Sequence, residues 1–179
     1  GRTVVVGAGK GGAAMAREFD RVWPGPLSGC VITRHGFGLA DYAGRIAVEE
    51  AGHPVPDQAS VAGAEKLTSL VSGLGHDDLV IALISGGASA LLVGLPEGVA
   101  LAEKQELTRA LLGCGASITE INTVRKHIST IKGGRLARRA APARVVTFAV
   151  SDIPGDDITA IGSGPTVPDP TSCADALEI

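Results

Sequence analysis

The sequence predicts a three-layer α/β/α fold with a mostly parallel sheet as its middle layer. Short β-branched segments alternate with amphipathic helical segments along the chain, and this order gives parallel strands with helices on both faces. The run Asp78–Ile84 is almost entirely apolar, which is typical of a strand that is covered on both sides. Glycine-rich or acidic turns follow three of the predicted strands. These three observations define the fold class.

Two helices are predicted in the first half of the chain. The first covers Lys10–Val22, where apolar residues recur at helical spacing. The second covers Gln58–Ser72, and Asp57 before it is a good N-cap. The strands predicted around these helices are Thr3–Val6, Gly29–Thr33 and Arg45–Glu49.

The second half continues the same alternation. Ser117 and Glu120 form an S-x-x-E capping box in front of a helix near Ile118–Lys126. The remaining predicted elements are a strand over Asp78–Ile84, helices over Glu103–Leu112 and Arg135–Ala140, and a strand over Arg144–Val150.

Composition excludes several classes of protein. The 179 residues suffice for one domain with a buried core. A net charge of −3 and a pI near 5.8 give no basic footprint for nucleic acid or for an anionic membrane. No secretion signal and no apolar run of membrane-spanning length are visible. The three cysteines are widely spread without a C-x-x-C pair, which argues against a disulfide framework. We therefore expect a cytoplasmic protein with neither nucleic-acid nor membrane partners.

The two ends of the sequence suggest a part of a longer protein. Residue 1 is not Met, and Cys173–Ile179 is helical in pattern but has no Gly or Pro terminator. We therefore expect residues 1–179 to form a single domain of a longer chain, and the function to need residues beyond them.

The first glycine-rich turn, Gly7–Gly12, fits the pattern G-x-G-x-x-G between a strand and a helix. In dinucleotide-binding folds the backbone N–H groups of this turn hold a phosphate at the helix N-terminus. Arg34 and His35 stand where an acidic residue for the ribose is expected, which at best suits a 2′-phosphate. Lys10 adds a positive charge inside the turn. The alternative is a tight structural turn with Lys10 in solvent.

The second turn, Ser85–Ser89, follows the most apolar predicted strand. Its two hydroxyls and its backbone N–H groups suit a carboxylate or a phosphate. Alternatively, Ser89 is only the N-cap of the next helix, and both roles are compatible. The spacing does not match the G-x-S-x-G elbow of a serine hydrolase.

The third turn contains Asp152, Asp156 and Asp157 directly after a predicted strand. Carboxylates at such a place suit Mg²⁺, which usually binds one or two of them together with substrate phosphates. Ordinary turn chemistry is the alternative, because Asp is common in turns. The segment Gly162–Thr166, with Gly164 inside it, would supply further N–H donors.

Four cations lie close together in the sequence between the second and third turns: Arg125, Lys126, Lys132 and Arg135. On one continuous helix Arg125 and Lys132 would share a face, because they are seven residues apart. Such cations neutralise the charge of phosphates during transfer. A solvated surface is the alternative, and the pattern alone favours it.

Together these motifs resemble the glycerate 2-kinase family, the class II glycerate kinases, whose chains also carry a C-terminal MOFRL domain. Two departures are small: Ala88 stands where a third glycine is frequent, and Gly11 and Gly12 stand where alanines are frequent. The stretches that carry the resemblance are Gly7–Ala16, Gly52–Asp57, Ile84–Leu92, Ile121–His127 with Lys132–Ala137, and Ser151–Asp157 with Ser163–Pro170.

The resemblance implies an ATP- and Mg²⁺-dependent enzyme that phosphorylates D-glycerate to 2-phosphoglycerate. Its site would lie between this Rossmann-like domain and a second domain. Lys10 matches the family's lysine in the first turn, and we expect it to stabilise charge on the transferred phosphoryl group. We expect Asp152 and Asp156 to hold Mg²⁺, or Asp152 to orient the hydroxyl. The expected binding residues are Gly9, Ser85, Gly86, Gly87, Ser89, Arg125, Lys132 and Gly164.

Two other functions stay open from the sequence. Members of this family often carry the name hydroxypyruvate reductase, and Gly7–Gly12 with Arg34 would suit an NAD(P)H-dependent reductase. Such an enzyme needs an acid to protonate the carbonyl, and no convincing His–Asp pair is visible. A ligand-binding domain without activity of its own is the third hypothesis. None of the four histidines has metal spacing, and none is assigned to catalysis. A homodimer is compatible with the sequence.

Overall fold

Five strands form one parallel sheet in the order β3-β2-β1-β4-β5. The structure is a computed structural model that describes residues 1–179. The central strands β1, β2 and β4 are almost entirely buried, whereas β5 is exposed along most of its length. The strands are β1 (Thr3–Ala8), β2 (Ser28–Arg34), β3 (Ile46–Ala51), β4 (Leu79–Ser85) and β5 (Arg144–Val150).

Seven helices connect or follow these strands. Three of them, α2, α5 and α7, begin with a capping box, built on Asp57 with Ser60, on Ser117 with Glu120 and on Ser172 with Asp175 respectively. A 3-10 turn also covers Ile161–Ser163. The helices are α1 (Gly12–Val22), α2 (Gln58–Val71), α3 (Ala88–Leu91), α4 (Leu101–Gly113), α5 (Ile118–His127), α6 (Arg135–Ala140) and α7 (Cys173–Leu177).

Helices cover both faces of the sheet, and the two layers differ in size. Helix α1 packs on one face through Ala16, with Met15 and Phe19 beside it, against a cluster that includes Val5 and Val31. Helices α2, α3 and α6 cover the other face and share the largest core cluster with alternate residues of the same strands. Because successive side chains of a strand point to opposite faces of the sheet, each central strand contributes residues to both core clusters.

The predicted fold class is confirmed, and most predicted elements lie within two residues of the observed ones. One expectation fails: α5 ends at His127, so Arg125 and Lys132 do not share a helix face. Backbone turns separate Lys132 from that helix, and Gly133 and Gly134 separate it from α6. None of the helices is long and apolar enough to cross a membrane.

The order of the strands reverses between β1 and β4. Strand β1 continues through α1 to β2 on one side, whereas β4 lies on its other side, with Ala8 paired to Ile84. In open parallel sheets ligands bind outside the carboxyl ends of the strands at such a reversal. The turns Gly7–Gly12 and Ser85–Ser89 leave the sheet at this point, side by side.

Candidate active site

The first glycine-rich turn is held by the protein itself. The N–H of Gly9 donates to the Ile32 carbonyl at 3.0 Å, and that of Lys10 donates to the Gly86 carbonyl at 2.8 Å. The N–H of Gly11 donates to Ser85 Oγ at 3.0 Å, and that of Gly12 donates to the Gly9 carbonyl at 2.9 Å. All four N–H donors are therefore bonded within the protein, so this turn connects β1 to its neighbours and has no free N–H groups for a phosphate.

Ser85, the last residue of β4, holds the first turn in place. Its side chain is buried, and the backbone of Gly9 passes so close that a Cβ there would lie 2.0 Å from Ser85 Oγ. Gly9 also has a φ of +140°, a conformation that only glycine adopts readily. These two predicted binding residues therefore join the two turns.

The second glycine-rich turn is open. No protein acceptor takes the N–H of Gly86 or of Gly87. A Cβ on Gly86 would lie 1.9 Å from Asp152 Oδ2, and a Cβ on Gly87 would lie 3.0 Å from the ring of His53. Adjacent free N–H groups form a concavity that suits an anion. The second turn therefore provides the donors that the first does not.

Lys10 and Asp152 meet above the open turn. Lys10 Nζ lies 3.4 Å from Asp152 Oδ2, and the two side chains are 41% and 50% exposed. Lys10 Cε also lies 3.3 Å from the place of a Gly87 Cβ. A half-exposed pair of this kind contributes little to stability. Both charges remain accessible to a ligand.

A cleft of about 270 Å³ opens beside this pair. Arg125 enters it from α5, and the loop after β3 contributes His53. The polar or glycine residues that line the cleft are His53, Gly87, Ser89, Thr108, Asn122, Arg125, Asp152 and Gly162, and its apolar wall includes Leu112, Ile118, Ile121 and Ile161.

The floor of the cleft is electropositive. Burial lowers the pKa of Arg125, and no carboxylate offsets that burial. Arg125 in turn helps to lower the pKa of Lys104, which burial brings to about 8. An unpaired and largely buried guanidinium is costly. It is stabilised when an anionic ligand binds in front of it.

Besides Gly9 and Ser85, three more predicted site residues lie away from the cleft. Lys132 is completely buried, and its ammonium donates to the carbonyls of Ser89 and Leu92 at 2.7 Å each. Burial holds the pKa of Lys132 well below its ordinary value. The carbonyl of Gly164 accepts from the N–H of Gly134 at 2.8 Å, which ties two loops together. Asp156 is exposed at a turn with φ of +51°.

Lys132 nevertheless acts on the site indirectly. By holding the carbonyls at the two ends of the α3 segment, it fixes the helix that follows the open turn. The hydroxyl of Ser89 shares a hydrogen bond of 2.8 Å with Ser163 Oγ, and Ser163 Oγ donates to Asn122 Oδ1 at 3.2 Å. This chain of polar contacts joins α3 to α5, which carries Arg125.

The carboxylates of the site offer few ligands for a metal ion. No cluster of three or more His, Cys, Asp or Glu side chains is present. Asp152 alone lies at the cleft, and it has accessible oxygens. Such a donor set suits Mg²⁺ that is held mainly by substrate phosphates and water.

Three polar lining residues were not predicted: His53, Thr108 and Asn122. The sequence does place His53 between Gly52 and Pro54, and this stiff turn was the only signal for it. Asn122 lies inside the motifs of the resemblance, but nothing in its spacing points to a cleft; Gly162, which also lines the cleft, belongs to the segment that was expected to supply N–H donors. All three come from loops or helices that approach only in the folded chain.

The strand order and the cleft define a Rossmann-like α/β protein with a candidate anion-binding site at the switch point. The family model described as "Domain of unknown function (DUF4147)" matches residues 1–179. The chain belongs to this family, and the resemblance to glycerate 2-kinases is confirmed by the relatives.

The relatives carry two kinds of name. A protein of Agrobacterium vitis named "Putative hydroxypyruvate reductase" is 57% identical over all of this chain and 41% of its own length. The "D-glycerate 2-kinase" of Thermotoga maritima is 43% identical over 99% of this chain and 43% of its own. A crystal structure of glycerate kinase from Thermotoga maritima superposes with a TM-score of 0.93 at 43% identity, over 99% of this chain and 43% of that chain. The chain therefore spans less than half the length of these relatives.

Proposed function

We propose that this chain is part of an ATP-dependent kinase that phosphorylates the 2-hydroxyl of D-glycerate. The observation that carries the proposal is the electropositive cleft between Lys10 and Arg125 at the switch point. Glycerate is a small anion and the phosphoryl donor is a larger one, so both require cations and N–H donors. The relatives named glycerate 2-kinase support this substrate.

The charged residues and the open turn each have a part in this proposal. Arg125 and the free N–H groups of Gly86 and Gly87 hold the substrate carboxylate or a phosphate. Lys10 neutralises charge on the transferred phosphoryl group. Asp152 orients the substrate hydroxyl or holds a metal ion. Phosphoryl transfer needs positioning and charge neutralisation more than covalent chemistry by the protein.

We further propose that ATP and Mg²⁺ are needed. When bound, Mg²⁺ neutralises phosphate charge. Asp152 is the carboxylate of the cleft that would hold it, whereas Asp156 does not line the cleft. Location in the cytoplasm and a homodimer stay predictions of the sequence.

An NAD(P)H-dependent reductase is the second candidate, and the name of the Agrobacterium vitis relative favours it. Two contacts in the structure argue against it. The N–H groups from Gly9 to Gly12 are already bonded within the protein. Arg34, which was expected to suit a 2′-phosphate, stacks over the ring of Phe37 at 3.7 Å.

A coupled assay distinguishes the two functions. The complete reading frame that encodes these residues is expressed and incubated with D-glycerate, ATP and Mg²⁺. We expect ADP release and formation of 2-phosphoglycerate, which phosphorus NMR identifies. NADPH oxidation with hydroxypyruvate, and no ADP release with glycerate, would instead establish the reductase.

A further inference from the structure

His53 occupies the cleft in a way that neither the sequence nor the proposed function explains. It lies in the loop between β3 and α2, directly after the buried Gly52. Its Cδ2 and Nε2 atoms each lie 3.0 Å from the place of a Gly87 Cβ, so this edge of the ring packs on the open turn. The ring also lines the cleft together with Arg125 and Asp152.

The ring of His53 is free of hydrogen bonds within the protein, unlike two other histidines. His35 Nε2 bonds to Asp57 at 2.8 Å, and His127 Nδ1 bonds to the Thr123 carbonyl at 2.9 Å. No protein group hydrogen-bonds to the ring of His53. A half-buried imidazole with a free nitrogen at a ligand cleft is available to a bound ligand.

The surroundings of His53 favour the neutral form of its ring. Burial lowers the pKa of His53, and the cations Lys10, Arg34 and Arg125 lower it further, whereas Asp152 opposes them. These are the charged groups that face it, from the first turn, the end of β2, α5 and the turn after β5. A neutral imidazole accepts a proton, which a protonated one cannot do.

Resting on the proposed function, we infer that His53 is the general base that accepts the proton of the substrate hydroxyl. The hydroxyl O–H bond breaks and the proton moves to the free ring nitrogen. The alcohol oxygen bonds to the γ-phosphorus of ATP, the bond from that phosphorus to ADP breaks, and the proton later leaves to solvent. Asp152, whose Oδ2 lies 3.4 Å from Lys10 Nζ, keeps its proposed role of orienting the hydroxyl or holding a metal ion.

The first test replaces the ring and then restores it. In the complete protein, His53→Ala lowers kcat about 100-fold, while KM for glycerate changes little because Arg125 and the open turn still bind the carboxylate. Free imidazole in the assay restores a large part of kcat. The matched control is His76→Ala in the exposed turn before β4, which changes nothing with or without imidazole.

The second test separates a base from a spacer. His53→Gln keeps a side chain with hydrogen-bonding atoms but cannot accept the proton, so its kcat is as low as that of His53→Ala. In the wild type, kcat/KM falls on the acid side only below the ordinary histidine pKa of 6.5. His53→Gln lacks this acid limb. Circular dichroism verifies that both variants are folded.

The outcomes distinguish this inference from the proposed function. Wild-type turnover together with a normal kcat in His53→Gln, or no rescue of His53→Ala by imidazole, overturns the role of His53 and leaves the kinase standing. No ADP release by the wild type overturns both. A slow His53→Gln, imidazole rescue and a missing acid limb together establish the base.

Discussion

The two turns are both rich in glycine, but their backbone N–H groups are used in opposite ways. In Gly7–Gly12 the backbone N–H groups donate to the carbonyls of Ile32 and Gly86, to Ser85 Oγ and to the Gly9 carbonyl of the same turn. Ser85–Ser89 leaves the N–H groups of Gly86 and Gly87 without protein acceptors. Both turns end parallel strands at the same edge of the sheet. The first is a closed joint, whereas the second is an open site.

This difference shows how a phosphate-binding pattern can be satisfied internally. Glycine permits close backbone approach, and the approaching group can be either a ligand or another loop. Here the approaching group at Gly9 is Ser85. Only Lys10 leaves the closed turn, because its side chain extends over the open one towards Asp152. We therefore expect substitutions at the open turn to change catalysis, and substitutions at the closed turn to change the free energy of unfolding.

The largest expected effect is on catalysis, through Lys10. In the complete protein, Lys10→Ala should lower kcat about 1000-fold, because it removes a cation aimed at developing phosphoryl charge. The melting temperature should barely change, since the side chain is half exposed and its ion pair is weak. Steady-state kinetics and thermal unfolding measure the two effects.

The control for this variant is Lys66→Ala. Lys66 pairs with Glu49 on the surface, and both side chains are about as exposed as Lys10. It should leave kcat unchanged. Normal turnover of the Lys10→Ala enzyme would show that Lys10 takes no part in catalysis at the open turn.

The next effect is on stability, at the closed turn. Gly9→Ala should lower the free energy of unfolding by about 3 kcal/mol, because its Cβ would overlap Ser85 and its backbone conformation disfavours any side chain. Gly36→Ala is the matched control: its φ is +78°, and no atom lies within 4 Å of the new Cβ. It should cost about 1 kcal/mol from backbone strain alone. Equal losses in urea unfolding would mean that close packing at Gly9 is unimportant.

Ser85→Ala tests the hydrogen bond at the point where the two turns meet. It removes the acceptor of the Gly11 N–H, so a part-buried donor is left without a partner. The expected loss is about 1 kcal/mol in the free energy of unfolding. Ser72→Ala, at an exposed hydroxyl that bonds to the Thr68 carbonyl, should cost less. A Ser85→Ala protein as stable as the wild type would show that the two turns are not coupled through this bond.

The fold was predictable because its signals are local. Alternation within strands, the apolar run of β4 and the capping residues Asp57 and Ser117 each act over a few neighbouring residues. The parallel arrangement of β1 and β4 then brings their following turns to one edge. For this reason the sequence could also predict that Lys10, Ser85 and Asp152 lie near one another.

The division of labour within the site was not predictable, because it depends on tertiary partners. Lys132 and Arg125 are both cations in one stretch, yet Lys132 ends among the carbonyls of Ser89 and Leu92 while Arg125 enters the cleft. Nothing in their spacing distinguishes them. His53 was passed over for the same reason: only the folded loop after β3 brings its ring against Gly87.

An effect of similar size, which depends on pH, lies beside the open turn in the loop that carries His53. Asp57 caps α2 by accepting from the Ser60 N–H at 3.0 Å, and it also bonds to His35 Nε2. Although burial opposes it, hydrogen bonds from His35, Gly52 and Ser60 lower the pKa of Asp57 to about 2. Its side chain is 40% exposed, so solvent screening reduces the contribution of its charge to stability. We therefore expect Asp57→Ala to lower the free energy of unfolding by about 1 kcal/mol near pH 6.

The pH dependence of this loss tests its cause. Because the folded pKa is below the unfolded one, the charged carboxylate stabilises the protein above about pH 4, and this contribution is lost as the pH falls from about 4 towards 2. The difference in unfolding free energy between wild type and Asp57→Ala should shrink over that interval. Asp57→Asn, which keeps a capping oxygen without the charge, should remain close to the wild type at low pH and fall below it near pH 6. A difference that is the same at every pH would mean that Asp57 stabilises the loop by packing and not by its charge.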